Sequence, residues 1–499
     1  MASVDLKKWE NVTLGGYIRL KLQKWSDSKL TDTSIDMTVT YAKLQNLANS
    51  IQFEVDKGEV VNILMPNGLL WVSAFIRLQQ LGAVTATSHP LYPKIALELA
   101  LKATHSRILV TNQDLWDHFK NGLNAPNIHT VYILQDKKTK TGGYKINVDK
   151  ISLNKKRPMG TSVLSQLEGV SQLLMTSGST GVPKATMLRH HSVMCNIEAM
   201  TNAVPFPTRP HIRITCNQPM AHVGGQNLTL LFTLCWGGHG HLIVSTSTPE
   251  TIANAIQKYE INYVTLFPSL LAKILAVEDH KTKLSKVRYI ITAGATVKPH
   301  LLEEAKLCNP KMRTCNIYGS TENGAVYFGD AFHKGLSIKV EHLENKIVGG
   351  ELLLRSPYSC KGYLDDNEKT KESFTEDGWF KTGDEAHIDP ETGAVEIKGR
   401  MKDIIKVNEQ SVSSLELEAI ISEIEGVVDC AVIGHASDEY GEIPIAFIVN
   451  KSSISKENVM KWVEERVPVY KRIHDVKFLD VLPMNANNKC DKQLLKTMV

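Results

Sequence analysis

A chain of 499 residues with 42% apolar and 22% charged side chains has the makeup of a globular protein and the length for two or more domains, each with its own core. The formal net charge of only +4 excludes a strong field aimed at nucleic acid or an anionic membrane, and small-molecule chemistry fits better. The eight cysteines, Cys195, Cys216, Cys235, Cys308, Cys315, Cys360, Cys430 and Cys490, are scattered with no Cys-x-x-Cys pair, which argues against disulfides or metal ligands and for reduced thiols.

The first residues, MASVDLKKWENVTLGG, lack the apolar core of a signal peptide, and no run of about 18 apolar residues offers a membrane span. The C-terminal Thr497-Met498-Val499 is not a Ser-Lys-Leu peroxisomal address, so a cytoplasmic protein is expected. Residues 1 to about 50 read as helices and turns. A βαβ pattern follows, with a strand over Glu59–Met65, a helix over Asn67–Leu81 and a strand over Ala83–Thr87. Short strands are expected at Ile108–Thr111 and His129–Gln135, and the lysine-rich segment 137–157 as an exposed connection.

An apolar strand then ends abruptly at Met175-Thr176 and runs into Ser177, Gly178, Ser179, Thr180 and Gly181, with Pro183 and Lys184 beyond. Such a loop offers successive backbone N–H groups, three hydroxyls and one ammonium, with no bulky side chain to block an anion. The spacing Gly178-x-x-Gly181-x-x-Lys184 is not that of the common P-loop, yet the composition suits polyphosphate. Strands are expected next at Ile212–Asn217, His241–Ser245, Tyr263–Phe267, Arg288–Ala293 and Arg313–Ile317, interleaved with helices such as Pro249–Glu260 and Pro299–Cys308. This alternation predicts doubly wound parallel sheets, whose ligands sit at the C-terminal ends of the strands.

From about residue 336 the chain turns to short strands, including Glu351–Arg355, and a turn at Asp377-Gly378. Near Gly399-Arg400 a compact α+β unit begins. Its elements are a strand over Ile404–Val407, a helix from about Ser413 to Glu423, strands over Val427–Ile433 and Ile443–Val449, and a helix over Lys456–Arg466. The expected architecture is α/β: a large N-terminal domain over 1–398 with a β-rich subdomain, and a small mobile domain over 399–499.

Four further blocks carry candidate chemistry. Asn316-Ile317-Tyr318-Gly319-Ser320-Thr321-Glu322 follows a strand, where Tyr318 could stack a base and Glu322 hold Mg²⁺. Gly378 to Asp384 sets an acid after a tight turn, suited to ribose hydroxyls. Gly399 to Lys406 is a charged, hinge-like stretch, and Pro483 to Lys489 an extended loop with a lysine at its tip. Taken singly, each also reads as a turn, a cap, a linker or a surface lysine. In this order and together, they closely resemble the adenylate-forming superfamily of acyl- and aryl-CoA ligases, luciferases and peptide-synthetase adenylation domains. Gln218-Pro219-Met220-Ala221-His222 and the stretch from Gly434-His435 to Gly441-Glu442-Ile443-Pro444 place the likeness nearest the 4-coumarate–CoA ligase and luciferase branch.

That resemblance implies carboxylic acid activation by ATP through an acyl-AMP, with pyrophosphate released, then transfer to CoA. A non-CoA acceptor, luciferase-like oxidation or a weakened nucleotide- or acyl-binding relative are the alternatives. It assigns Thr176, Ser177, Gly178, Ser179, Thr180, Gly181 and Lys184 to the β- and γ-phosphates. Glu322 goes to Mg²⁺, Thr321 to the α-phosphate region, and Asn316, Tyr318 and Gly319 to the nucleotide. Asp384 and Arg400 fall to the ribose, with Lys406 also on the nucleotide side, and Lys489 bridges the carboxylate and the α-phosphate. Lys402 is the implied hinge. His222, grouped with Lys489 and Thr321 as catalytic, also joins Val223, Gly224, Phe267, Ala293, Gly294, Ala295 and Gly319 around the acid. The implied partners are a small-molecule carboxylic acid, ATP, Mg²⁺ and CoA, with no nucleic acid, no integral membrane segment and a monomer or homodimer. Two residues depart from the family pattern: Glu409 and Asn488 stand where glycine is usual, and Glu409 puts the CoA step in question.

Overall fold

A computed structural model describes residues 4–138, 144–156, 158–177, 183–204, 212–294, 297, 299–329, 335–408, 410–450, 454–484 and 490–499. The chain gathers into two compact units. Met1–Val297, Leu301–Glu344 and Arg355–Phe380 form the first, and Lys298–His300, Asn345–Leu354 and Lys381–Val499 the second. Residues 345–354 and 381–398, which precede the expected 398/399 boundary, thus cluster with the second unit.

The first unit is built on two wound sheets. In the seven-stranded one, Thr130–Lys138, Ile108–Asn112, Val60–Leu64, Val84–Thr87 and Val170–Ser177 run parallel in that order, with an antiparallel strand at each edge. Val60–Leu64 is buried at every residue, as befits a central strand covered on both faces. One edge strand, Tyr144–Ser152, corrects the expectation of an exposed connection over 137–157. It pairs antiparallel with Thr130–Lys138 from Thr130↔Ser152 to Lys138↔Tyr144. Alternation explains how so many lysines fit a strand. Tyr144 and Ile146 point inward while Lys145 and Asn147 face solvent, and charged side chains also guard a sheet edge against pairing with another chain.

The nine-stranded sheet has six parallel strands: Arg313–Ser320, Tyr289–Ala293, Tyr263–Leu266, Arg213–Cys216, His239–Leu242 and Lys29–Asp32. Gly324–Gly329 and Ile338–Lys339 extend one edge antiparallel, and Met37–Thr40 closes the other. The strand expected at His241–Ser245 starts two residues earlier, because His239 pairs with Arg213. Lys29–Asp32 and Met37–Thr40 were expected as helix and turn. At four residues each they are too short for a period to show. Buried amides join the two sheets. Asn67, just beyond Val60–Leu64, donates from Nδ2 to the carbonyls of Gln218 at 2.8 Å and Ile243 at 3.1 Å, and its Oδ1 accepts from Met220 N–H at 3.1 Å. The exits of central strands in both sheets are thereby pinned together.

The second unit contains a four-stranded sheet of Glu344–Val348, Glu351–Arg355, Phe380–Ile388 and Val395–Arg400. Its second sheet joins Gln410–Val412, Ile405–Val407, Gly441–Asn450 and Val427–Ser437, with Asp475–Phe478 parallel to Gly441–Asn450. Helices Ser414–Ile421 and Lys456–Glu464 bury Leu417, Ile421, Val459 and Val463 in its core. Ser413 caps the first helix, accepting from Glu416 N–H at 3.3 Å, as its serines predict. All eight cysteines are free and seven are buried, and burial pushes the Cys216 and Cys235 thiols up to about 12. Among the described residues no helix is long and apolar enough to cross a membrane.

Candidate active site

The Ser/Gly/Thr stretch falls between two strands that pair antiparallel. Val170–Ser177 returns antiparallel as Pro183–Arg189, with Thr176 opposite Lys184 and Ser177 opposite Pro183. Lys184, expected in the loop, lies instead in a strand whose first position is Pro183, where proline costs no ladder bond. Gly178, Ser179, Thr180 and Gly181 lie outside the described residues. Thr176 Oγ1 stands 3.4 Å from Thr186 Oγ1, and Lys184 projects from the opposite strand at the base of the tip.

A further segment completes the returning strand's free edge. Lys361 N–H donates to Met187 O at 2.8 Å, Met187 N–H to Gly362 O at 2.9 Å, and Leu364 N–H to Ala185 O at 2.9 Å. These bonds and the antiparallel bridge Thr186–Tyr363 lay the segment 361–366 along the returning strand, and it needs glycine at 362. There φ is +124°, and a Cβ would sit 2.6 Å from Thr370 Cγ2. The segment carries two side chains into the site. The Tyr363 hydroxyl donates to Glu322 Oε1 at 3.0 Å, and the Asp366 carboxylate accepts from Lys184 Nζ at 2.8 Å. The ammonium also lies 5.8 Å from the centre of the Tyr363 ring. Cys360 N–H donates to Glu322 O at 2.7 Å. Lys184 and Glu322, far apart in the chain, are thus both tied to the short segment 361–366.

Electrostatics follow from these contacts. Burial, and then the charge of Glu322, raise the Tyr363 phenol, so it stays a hydrogen-bond donor. The Lys184 ammonium holds Asp366 below the usual carboxylate range. Burial takes the neighbouring Cys360 thiol up to about 12.

Glu322 follows a second hairpin. The strand expected to stop at Ile317 continues to Ser320 and folds back as Gly324–Gly329, with a bulge between Tyr318 and Gly319. The return is tight enough that a Cβ on Gly319 would lie 2.1 Å from Gly324 O. Asn316 Oδ1 accepts from Thr292 Oγ1 at 3.3 Å, and the rings of Tyr318 and Tyr327 stand 6.3 Å apart. Asn323 locks the turn after Thr321 and Glu322, its Oδ1 accepting from Ser356 Oγ at 2.6 Å and Ser359 Oγ at 3.0 Å.

The residues expected around the acid cluster at the C-terminal ends of neighbouring parallel strands. Phe267 follows Tyr263–Leu266, and Ala293 and Gly294 end and follow Tyr289–Ala293. His222, Val223 and Gly224 come after Arg213–Cys216 and lead into a π-helical stretch over Gly224–Leu231. Such stretches occur often at functional sites. His222 is half-buried, and Ala295 lies outside the described residues.

In the second unit, Asp384 and Arg400 are register partners, with Arg400 Nε 3.1 Å from Asp384 Oδ1. Arg400 also donates to Thr382 O at 2.8 Å, and Asp384 is buried. Lys402 is exposed in a short turn over Met401–Asp403. Lys406 donates its N–H to Glu442 Oε2 at 2.7 Å. Glu409, Asn488 and Lys489 lie outside the described residues. The ends of the lysine's loop are joined through the Met484–Cys490 bridge and a 2.8 Å bond from Asp491 N–H to Pro483 O.

No group of three or more His, Cys, Asp or Glu side chains that could hold a metal occurs among the described residues. A lone carboxylate such as Glu322 nonetheless fits Mg²⁺, which keeps several waters and takes one or two protein carboxylates beside substrate phosphates. Three residues escaped the sequence reading: Asn323, Tyr363 and Asp366. Tyr363 and Asp366 fall in the stretch of short strands and turns beyond residue 336, and no spacing signals an ion pair reaching from 184 to 366.

Comparison with known proteins agrees with this construction. The model of the AMP-binding enzyme family matches residues 27–364, and that of the AMP-binding enzyme C-terminal domain matches 416–489. A 4-coumarate–CoA ligase of Pinus taeda is 27% identical over 523 residues, covering 99% of this chain and 96% of its own. A peroxisomal OPC-8:0-CoA ligase of Arabidopsis thaliana is 26% identical, covering 93% of this chain and 89% of its own. An anthranilate CoA ligase solved in complex with anthranoyl-AMP shares the fold with a TM-score of 0.82 at 21% identity, over 97% of each chain.

Proposed function

The chain belongs to the AMP-binding enzyme family, and from that premise we propose that it activates a carboxylic acid with ATP and passes the acyl group to CoA. The observation that carries this reading is the tethering of Lys184 and Glu322 to one short segment through Asp366 and Tyr363. It links a cation that follows a stretch of hydroxyls and glycines in the sequence to a carboxylate that fits Mg²⁺, as a polyphosphate with its Mg²⁺ requires.

The chemistry runs in two halves. A carboxylate is a poor electrophile because its leaving group would be oxide. Its oxygen attacks the α-phosphorus of ATP, the bond to the β-phosphate oxygen breaks, and pyrophosphate departs to leave an acyl-AMP. The thiol of CoA then loses its proton and attacks the acyl carbon, expelling AMP. Catalysis of the first half is mostly positioning and charge stabilisation. Thr176, Lys184 and the tip between them are assigned to the β- and γ-phosphates, and Glu322 to Mg²⁺, which neutralises phosphate charge when bound. Thr321 is assigned to the α-phosphate region, and Asn316, Tyr318, Gly319 and Lys406 to the nucleotide. Asp384 and Arg400 are assigned to the ribose, and Lys489 to the carboxylate and α-phosphate oxygens. His222, Val223, Gly224, Phe267 and Ala293 to Ala295 are placed around the acid. The division at 398/399 with Lys402 as hinge belongs to the same proposal, and the buried free thiols favour a reducing compartment.

A second reading rests on Glu409. A carboxylate in the place of glycine obstructs pantetheine, and an acceptor other than CoA would then take the acyl group. The decisive test is pyrophosphate release from ATP with a panel of fatty and aromatic acids. Acid-dependent release is expected, with Lys489→Ala slowing it by about 10²–10³-fold, as loss of an oxyanion donor does. Release with no acid, or adenylate synthesis undiminished in Lys489→Ala, overturns the proposal.

A further inference from the structure

We propose that Asp366 is a built-in counter-ion that occupies Lys184 in the place of phosphate and thereby limits how tightly the pyrophosphate end of the nucleotide is held. The inference rests on the reading of Lys184 as a phosphate ligand and goes beyond it, because it gives the enzyme its own competitor for that ligand.

The geometry gives the two partners different freedom. Asp366 is fixed whether or not Lys184 is present, since its Oδ1 accepts from Lys369 N–H at 2.9 Å and caps the helix Asn367–Ser373. Its main chain is anchored as well, its N–H donating to Tyr363 O at 3.3 Å. Lys184 has a flexible four-carbon stem rooted on the strand Pro183–Arg189, and its ammonium rotates away without disturbing the backbone. The lysine side chain is 14% exposed and the aspartate 35%, so the pair meets solvent on the aspartate side and separates at modest cost. A phosphate oxyanion reaching the hairpin tip must take the ammonium from a carboxylate 2.8 Å away. Each pyrophosphate that leaves gives it back. The pair opposes nucleotide capture slightly and assists product departure by the same factor.

The test is calorimetric titration of magnesium pyrophosphate into the full chain, comparing the unsubstituted protein with Asp366→Asn, Lys184→Met and the double variant. Asparagine keeps an oxygen for the helix cap and removes only the charge. Asp366→Ser, also a good cap residue, provides a second uncharged side chain should the amide disturb folding. Both uncharged variants are expected to bind pyrophosphate about two- to five-fold more tightly, the range a partly exposed ion pair commands. In the Lys184→Met background the same change is expected to have no effect. Unchanged or weaker binding in Asp366→Asn and Asp366→Ser overturns the inference while leaving the phosphate role of Lys184 intact. So does a tightening that persists without the lysine. If the unsubstituted chain binds neither magnesium pyrophosphate nor ATP, the phosphate reading itself fails and the counter-ion falls with it.

Discussion

Single side chains set the chemistry of this molecule through bonds that bridge long stretches of chain. The Tyr363 hydroxyl, 3.0 Å from Glu322 Oε1, aims a carboxylate that sits on a turn and would otherwise rotate freely. A hydrogen bond to a charged acceptor contributes about 1.5–3 kcal/mol. Tyr363→Phe is therefore expected to lower kcat/KM for MgATP by roughly ten-fold or more in acid-dependent pyrophosphate exchange, with a higher Mg²⁺ requirement. An unaltered Mg²⁺ dependence would detach Tyr363 from the metal. Histidines away from the site carry a different consequence. His241 is 1% exposed, its ring stacked 4.3 Å from that of His239, and burial followed by the charge of His239 brings it down to about 3. A base whose folded pKa lies below its unfolded value stabilises nothing on protonation. The unfolded chain takes up the proton first, so stability is whole above about 6.5 and drains as pH falls toward 3. At pH 5 the loss from one such imidazole is about 2 kcal/mol. Urea unfolding at pH 7.5 and pH 5.0 is expected to show a smaller pH penalty in His241→Phe, by about that amount.

At the scale of elements, the segment 361–366 joins the strand Pro183–Arg189 to the turn that carries Glu322, and its geometry depends on Gly362. Alanine there meets both an unfavourable φ of +124° and Thr370 Cγ2 at 2.6 Å. Gly362→Ala is expected to cost about 1–3 kcal/mol of stability by thermal or urea unfolding. It is also expected to raise the KM for ATP, since Asp366 and Tyr363 lie on that segment. Loss of stability with an unchanged KM would show that the site holds without it. The same elements mark how far the sequence could be read. Val60–Leu64 and Leu69–Leu81 were legible because each is an apolar run, and their lengths of five and 13 residues separate a buried strand from a buried helix. Tyr144–Ser152 was misread because charge was weighed before alternation, although its lysines face solvent on an edge strand. The composition around Ser177–Lys184 suggested an anion site, but gave no sign that the flanking strands pair antiparallel. Antiparallel return depends on which strand Pro183–Arg189 finds, and that is settled by tertiary pairing. Asp366 and Tyr363 were out of reach for the same reason. Contacts across such separations leave no local spacing to detect.

For the whole chain, the question is how its two half-reactions are balanced. Every residue assigned to the first half that lies in the Ser/Gly/Thr, Tyr-Gly-Ser-Thr-Glu and Thr-Gly-Asp blocks is present in the sequence, and so is Lys489. The departure falls at residue 409, where the resemblance implies the pantetheine path. Its neighbour Asn408 adopts φ 47°, a left-handed conformation that asparagine tolerates, and its N–H donates to Tyr440 O at 2.8 Å. Glutamate in the place of glycine adds bulk and a negative charge, both unfavourable to an incoming thiol arm and its phosphates. If adenylation and thioester formation are separate demands on this chain, Glu409→Gly acts on one alone. Acid-dependent pyrophosphate exchange is expected to stay within about two-fold of the unsubstituted rate, because no nucleotide-side residue changes. Acyl-CoA formation is expected to rise by about ten-fold or more, the gain from removing roughly 1.4 kcal/mol of opposition in the transition state. Single-turnover mixing of preformed acyl-AMP with CoA reads the second step directly. Equal rates for the two proteins there, at ordinary CoA concentrations, would mean that glutamate at 409 leaves the path open and that CoA is the natural acceptor as it stands.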